Sequence, residues 1–180
     1  MTSLDKDPVI NAIYKGIKAG IEVTLNNECL SSCVILIYAG IDSMAYLDMS
    51  LSQSEVTSGD FVQWVDKYMR FPCREQLNGA DLYGARCAML HQYGVESRMS
   101  REGKCRVVGY MDKGVPEIRY DSSVSKDHVF VSVPALKNAF FAGIDKFLVD
   151  VFSNKTRAET VEARLKNFVQ AFPISESKLA

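Results

Sequence analysis

The stretch GADLYGARCAMLHQYG, Gly79–Gly94, decides how the rest of the chain is interpreted. It predicts a helix in which Asp81 is the N-cap or a first-turn acid and Gly94 marks the end. Arg86 falls on the apolar face of this helix, and a buried guanidinium is costly unless an anion meets it. The pattern therefore predicts an anionic partner for Arg86. The apolar face is formed at three- and four-residue spacing by Leu82, Ala85, Met89 and Tyr93.

Working outward, the segment from Glu28 to Leu47 is apolar nearly all round, which is typical of a helix at the centre of a bundle. The β-branched residues at positions 34, 35 and 37 would also permit a buried strand. Asp42 is the exception within this segment, because a buried carboxylate needs a cation or hydrogen-bond donors. Arg86 is its natural partner. A turn or a solvent-facing notch would also accommodate Asp42, and Arg86 could instead pair with Asp81.

The flanking patterns predict further helices and one β element. Six basic residues and three acids lie between positions 98 and 119, and turn-like sequences around Gly103 and Gly114 predict a β-hairpin at about 104–120. We therefore expect a mainly α fold, a helical bundle with a small β-hairpin insertion. The other predicted helices run from Pro8 to about Leu25, from Thr57 to Pro72, over Val133–Val151, and from Val161 to Phe172 before Pro173.

The composition sets limits on the class of protein. The chain has 180 residues, of which 47% are apolar and 24% charged, and its formal net charge is −1. We expect a single domain over residues 1–180, in which any anion site is local because there is no overall positive charge. Five cysteines without a CxxC pair, no signal peptide and no window of eighteen uncharged apolar residues indicate a cytoplasmic protein with no membrane partner.

Arg86 and His91 form the sequence Arg-Cys-Ala-Met-Leu-His, which resembles the Arg-x4-His motif of the HEPN superfamily. The likeness extends from Cys29 to about Tyr93, because a long apolar helix with an interior acid precedes the motif helix, and residues 129–172 would supply the completing helices. The resemblance implies a HEPN-like helical bundle, in a superfamily whose members often act as ribonucleases. The position after the arginine is commonly polar in active members, and here it is Cys87.

The resemblance further implies a metal-independent endoribonuclease, without cofactor or metal, in which the motif helices of a homodimer form one cleft. Arg86 would hold the phosphate, His91 would transfer protons and Asp42 would orient the arginine. RNA would be the substrate, and an antitoxin or other regulatory protein would be a partner in a toxin–antitoxin or defence role. Residues assigned to substrate binding are Ser43, Tyr93, Arg98, Arg101, Lys104 and Arg106, and Tyr110 and Tyr120 could stack on bases.

Other interpretations remain open from the sequence. His91 could be a helix cap or a surface residue, as a lone histidine near the end of a helix often is. A five-residue separation also turns about 140° around a helix, so Arg86 and His91 do not share one narrow face. A zinc site could use Cys87 with His91, or Cys29 with Cys33, since each pair is four residues apart. The chain could also be a non-catalytic module that binds nucleic acid or protein, or a purely structural oligomer.

Overall fold

The computed structural model describes residues 7–71, 75–112, 114 and 116–169. Most of these residues are helical, and a small sheet lies between the fifth and sixth helices. The prediction of a mainly α fold with a small β insertion is therefore confirmed. The helices are α1 (π-helical over Val9–Lys18, then α-helical over Ala19–Asn26), α2 (Leu30–Asp48), α3 (Ser58–Tyr68), α4 (Gly79–Gln92), α5 (Arg98–Arg101), α6 (Val133–Phe152) and α7 (Lys155–Leu165).

The central helix α2 is packed by α1, α3, α6 and α7, as its apolar sequence predicts. Residues such as Ile37 and Ile41 are fully buried, whereas Leu36 and Ala39 lie on a side that stays exposed. The helical interpretation of this segment is thus confirmed over the alternative of a buried strand. An aromatic cluster of Trp64, Phe140 and Phe147 joins α3 to α6, with ring centroids 6.0 and 6.2 Å from the indole.

By length and composition alone, α2 is also apolar enough to span a membrane, with a mean hydropathy of 1.6 over an 18-residue window. Half of that window is buried inside the protein. Core helices of soluble proteins have the same character, so this single helix is weak evidence for a membrane segment.

Local signals place the ends of several helices. A capping box begins α3 at the predicted Thr57, because Thr57 Oγ1 accepts from Asp60 N at 3.3 Å and Thr57 N donates to Asp60 Oδ2 at 2.8 Å. α3 ends at Tyr68, and α7 begins earlier than predicted, at Lys155, and ends at Leu165. Both helices therefore end before the predicted ends at Pro72 and Pro173, and these two prolines lie outside the described residues.

The β element differs from the predicted hairpin. Its strands are β1 (Val107–Met111), β2 (Ile118–Arg119) and β3 (His128–Ser132), and they lie in the order β1-β3-β2. β3 pairs in parallel with β1 and antiparallel with β2, so the two strands expected to form a hairpin do not pair with each other. The buried Val129 and Val131 explain this order, because the strand with the most apolar inner face takes the centre of the sheet.

Candidate functional site

The helix α4 is fixed at both ends by its own sequence. Asn78 is the N-cap, with Asn78 Oδ1 accepting from Asp81 N at 2.9 Å and Asp81 Oδ2 accepting from Asn78 N at 3.3 Å. At the other end Tyr93 adopts a left-handed conformation with φ 52°, and Gly94 N donates to Ala88 O at 3.1 Å. Asp81 is thus a first-turn acid, and the helix ends at Gln92 in front of Gly94.

A close approach to α3 sets the position of α4 in the bundle. Gly79 N donates to Asp66 Oδ1 at 2.6 Å, and a Cβ on Gly79 would lie 2.5 Å from Val62 O. Only glycine allows the two backbones to lie this close together, so this contact fixes where the first turn of α4 packs against α3. The neighbouring α2 carries Asp42, so the register of α4 decides which side chain faces that carboxylate.

Arg86 faces Asp42, as the sequence predicts. Arg86 Nε and Nη2 both donate to Asp42 Oδ2, at 3.0 and 2.9 Å. The side chains are 22% and 25% exposed, so the pair lies at the rim of the bundle, partly open to solvent. The alternative partner, Asp81, is 1% exposed and binds Arg106 instead.

His91 lies beside the same guanidinium. Arg86 Nη1 and His91 Nε2 are 3.3 Å apart, so the long arginine side chain bridges the rotation of the helix between the two positions. A hydrogen bond between them requires a neutral imidazole protonated on Nδ1, because a guanidinium nitrogen can only donate. The structure therefore brings Asp42, Arg86 and His91 together at one exposed site.

The electrostatics of the pair follow from partial burial. Burial raises the pKa of the Asp42 carboxyl above its ordinary value, while the hydrogen bonds and charge of Arg86 act to lower it. Burial also acts to lower the pKa of the Arg86 guanidinium, but the hydrogen bonds that it donates to Asp42 and the negative charge of that carboxylate act the other way, and the pKa is raised. Arg86 therefore stays charged, and its positive charge favours the ionised form of the Asp42 carboxyl.

Two neighbours of Arg86 on α4 belong to the site: Tyr83, which the sequence did not single out, and Cys87, which it suggested only as a departure from the motif and a possible zinc ligand. The Cys87 side chain is close enough to those of Tyr83 and Arg86 to influence the pKa of each. Burial, followed by the proximity of Cys87, raises the pKa of the Tyr83 hydroxyl. The four-residue spacing of Tyr83 and Cys87 places them on one helix face and was the signal that could have identified them.

The other residues assigned to substrate binding lie around this site rather than in it. Ser43 follows Asp42 on α2, and its hydroxyl donates to Ala39 O at 2.9 Å. Tyr93 follows the end of α4 and is 65% exposed. Within the described part of the chain neither residue is hydrogen-bonded to Arg86.

The basic residues after α4 are largely committed to acids of their own segment. Glu102 binds Arg98 Nε at 2.6 Å and Lys104 Nζ at 2.7 Å, and the hydrogen bonds from Lys104 and then Arg98 lower the pKa of its carboxyl to about 2. Arg101 is exposed on α5. This surface is partly neutralised by Glu102, so it offers less positive charge to RNA than its sequence indicates.

Arg106 is held inside the protein. Its Nε and Nη2 donate to Asp81 Oδ2 at 3.1 and 2.6 Å, Nη1 donates to Glu75 Oε1 at 3.0 Å, and Nη2 also donates to Gln76 O at 2.7 Å. Its backbone N–H donates to Asp81 Oδ1 at 2.9 Å. Each guanidinium nitrogen therefore has a protein acceptor, and the residue joins the start of β1 to the first turn of α4.

No group of three or more His, Cys, Asp or Glu side chains that could hold a metal ion occurs among the described residues. Cys33 is buried with its thiol near Ile21 O, and Cys29 is exposed. The zinc alternatives therefore gain no support from the arrangement of these side chains.

No family model, no curated protein and no solved structure matches the chain. The function has to be inferred from the chemistry of the chain's own side chains.

Proposed function

We propose that the chain is a HEPN-like, metal-independent endoribonuclease in which Arg86 and His91 act on one phosphodiester of single-stranded RNA. The observation that carries the proposal is the 3.3 Å contact between Arg86 Nη1 and His91 Nε2 at the partly exposed rim of the bundle. A fixed cation beside an imidazole is the pair that phosphoryl transfer without a metal requires, because one group neutralises charge and the other moves a proton.

The reaction would proceed through the substrate's own 2′-hydroxyl. Each terminal nitrogen of Arg86 carries two N–H groups, so the guanidinium keeps donors for a phosphate oxygen after it has bound Asp42. When the phosphate takes the Nη1 donor, His91 Nε2 is released to accept the proton of the 2′-hydroxyl. The 2′-oxygen then bonds to phosphorus, the bond from phosphorus to the 5′-oxygen breaks, and the products are a 2′,3′-cyclic phosphate and a 5′-hydroxyl.

Asp42 would be a positioning residue in this scheme. Two hydrogen bonds from Arg86 to one of its carboxylate oxygens hold the guanidinium in a fixed orientation towards His91. Since the orientation is set before the substrate arrives, the transition state is stabilised without reorganisation of the arginine.

A homodimer would complete the site, because the 5′-oxygen needs a proton as it leaves. His91 of a second copy would supply it if two α4 helices faced each other. Support comes from the exposed apolar side chains that follow α4, Tyr93 at 65% and Val95 at 55% exposure, which a partner chain would cover. An RNase of this kind would act in a toxin–antitoxin or defence role, in which a regulatory protein restrains it.

A second function, RNA or protein binding without cleavage, is favoured by one observation. Arg86 Nε and Nη2 are both occupied by Asp42, an arrangement that a purely structural ion pair would also adopt. In that case the site would hold a phosphate but turn over no substrate.

The test is cleavage of a 5′-labelled, mixed-sequence RNA in EDTA. Removal of one charge-stabilising donor costs roughly 100- to 1,000-fold in rate, and removal of a general base costs roughly 100- to 10,000-fold. We expect Arg86→Ala and His91→Ala to lose activity by these factors, and Asp42→Asn to lose less because it keeps an oxygen acceptor. Gln92→Ala and Arg70→Ala are matched controls, exposed at the end of α4 and just after α3, and both should cleave like the wild type.

The product ends distinguish the proposals. Cyclic phosphate ends from the wild type, lost in the Arg86 and His91 variants while circular dichroism shows an intact fold, would support the nuclease. Activity that survives in both variants would refute the assigned roles. RNA binding by the wild type without any turnover would replace the nuclease with the binding module.

A further inference from the structure

The outer face of the three-stranded sheet carries an aromatic side chain that the bundle does not use. Along β3, Val129 and Val131 are fully buried against the helices, whereas His128 and Phe130 alternate with them on the other face. Phe130 is 48% exposed, although it lies on the central strand of the sheet. Together with the exposed Val124, it gives this face apolar surface bordered by polar side chains, which is the character of an interaction site.

The ring of Phe130 is seated on a glycine. Gly109 on β1 is the register partner of Phe130, and a Cβ there would lie 2.5 Å from the Cδ1 and Cε1 atoms of the ring. The phenyl group therefore lies over the backbone of β1 in a position that any other residue at 109 would obstruct. The ring is held in place before any ligand arrives.

A cavity of about 380 Å³ adjoins this ring. The size suits a small planar group, since ligand pockets begin at about 300 Å³. Polar groups at its wall are already ordered, because Ser125 Oγ and His128 Nδ1 are hydrogen-bonded at 2.8 Å. The cavity is lined by Ile118, Arg119, Tyr120, Asp121, Val124, Ser125, His128 and Phe130.

A positively charged residue lies opposite Phe130 on the neighbouring strand β2. Arg119 on β2 is the register partner of Phe130, and its side chain is 69% exposed. Glu117 Oε1 accepts from its Nε and Nη2 at 2.8 and 2.5 Å, which restricts the orientation of the guanidinium. The Nη1 group is free of that carboxylate and can donate to a phosphate oxygen.

The tyrosines that the sequence suggested for base stacking are used elsewhere. The hydroxyl groups of Tyr110 and Tyr38 are hydrogen-bonded at 2.7 Å beneath the sheet, and the Arg106 guanidinium covers the ring of Tyr120 at 5.2 Å. Tyr120 also lines the cavity, but it is half-buried and its ring is engaged by Arg106, so Phe130 is the more exposed aromatic side chain there.

We propose that the outer sheet face is a stacking platform for an unpaired RNA base, with the base on Phe130 and the adjoining phosphate on Arg119. The choice of RNA as ligand rests on the proposed function. It also fits the chemistry, because exposed aromatic residues on a small sheet, flanked by arginine, bind single-stranded bases through their π-faces. The inner face of the same sheet packs on α4, so the platform and the Arg86–His91 pair belong to one helix–sheet unit.

The experiment measures binding separately from cleavage. The probe is a fluorescein-labelled mixed-sequence RNA of about ten nucleotides with 2′-O-methyl groups, which cannot be cleaved because the attacking hydroxyl is blocked. Phe130→Ala should weaken its Kd about 5- to 150-fold, as expected for the loss of one base–aromatic stack. Phe130→Trp should restore binding, and Phe130→Leu, which keeps apolar area without a ring face, should not.

The matched control is Phe152→Ala, which removes the same side chain at 47% exposure from the end of α6. Binding unchanged in Phe130→Ala, weakened as much in Phe152→Ala, or absent in the wild type would overturn the platform. Wild-type binding in Phe130→Leu would also overturn the platform, because it would show that the RNA does not need a ring face at position 130. Probe binding that depends on Phe130 in a chain that cleaves no RNA would leave the platform standing and refute the nuclease. Cleavage by the wild type, with probe binding and cleavage both unchanged in Phe130→Ala, would refute the platform and leave the nuclease standing.

Discussion

Replacement of Asp81 with alanine should destabilise the protein far more than it affects any RNA chemistry. The Asp81 side chain is 2% exposed and accepts from the backbone N–H, Nε and Nη2 of Arg106, and from Asn78 N. Without the carboxylate, the Arg106 guanidinium keeps Glu75 and Gln76 O but loses its most buried acceptor. The capping box of α4 is lost as well.

The size of the effect follows from the burial of the pair. Removing one partner of a buried ion pair costs about 3–5 kcal/mol, because the remaining charge is left uncompensated. The lower end applies here, since Arg106 is 20% exposed and still pairs with Glu75. At about 2–4 °C per kcal/mol for a chain of this size, the melting temperature should fall by about 6–12 °C.

The assay is equilibrium unfolding in urea, followed by the fluorescence of the only tryptophan. Trp64 is 1% exposed in the aromatic cluster of the core, so its emission reports loss of the native packing. Arg106→Ala should cost a similar amount, and the double variant should cost clearly less than the sum of both, because the two residues share one interaction. Glu159→Ala, which removes an exposed i,i+4 partner of Lys155, is the control and should change little.

Two results would refute this reasoning. A loss below about 1 kcal/mol for Asp81→Ala would show that the buried pair contributes no more than a surface pair. Additive losses in the double variant would show that Arg106 stabilises the protein through other contacts. If Arg106→Ala instead weakened binding of the 2′-O-methyl RNA at unchanged stability, Arg106 would be the substrate ligand that the sequence suggested.

Two further predictions concern stability. Gly79→Ala should lower the free energy of unfolding by about 1–3 kcal/mol, because the new Cβ would lie 2.5 Å from the carbonyl oxygen of Val62 on α3. The control is Gly59→Ala, where the nearest atom to a Cβ is 3.5 Å away and no such loss is expected. Equal losses for the two variants in urea unfolding would disprove the close-approach argument. Hydrogen bonds from Tyr68, and then from Arg157 and Lys67, lower the pKa of the Asp150 carboxyl below its usual 3.8. The contribution of the ionised carboxylate to stability is therefore fully present above about pH 3.8 and is lost as the pH falls through the lowered pKa. Asp150→Asn should therefore flatten the decline of the urea midpoint below about pH 4, and a decline as steep as in the wild type would contradict this assignment.

The helices were predictable because their signals are local. The capping box at Thr57 and the apolar pattern of residues 133–151 each lie within one segment, and the structure has α3 and α6 at those places. The sheet order was not predictable in the same way. Val107 pairs with His128 across twenty intervening residues, and short strands carry too little pattern to specify a distant partner over an adjacent one.

The site was partly predictable for a similar reason. Asp42 is the acid in the middle of an apolar helix, so the need to compensate its charge pointed to Arg86 without knowledge of the fold. The platform could not be found this way, because the exposure of Phe130 depends on which face of β3 meets the bundle. His128–Ser132 runs directly into α6, and its sequence alone did not separate the strand from the helix.

Arg86 and Arg106 show what distinguishes a structural arginine from one able to bind a substrate. Arg86 lies on α4 and Arg106 binds its first turn, both pair with a carboxylate, and the pKa of both is raised by that carboxylate. Every guanidinium nitrogen of Arg106 has a protein acceptor, whereas Nη1 of Arg86 lies 3.3 Å from His91 Nε2, a side chain that a ligand can replace. A phosphate could displace His91 at little cost, but at Arg106 it would have to break a buried ion pair. The number of donors that the fold leaves uncommitted therefore favours Arg86 as the residue that meets the phosphate.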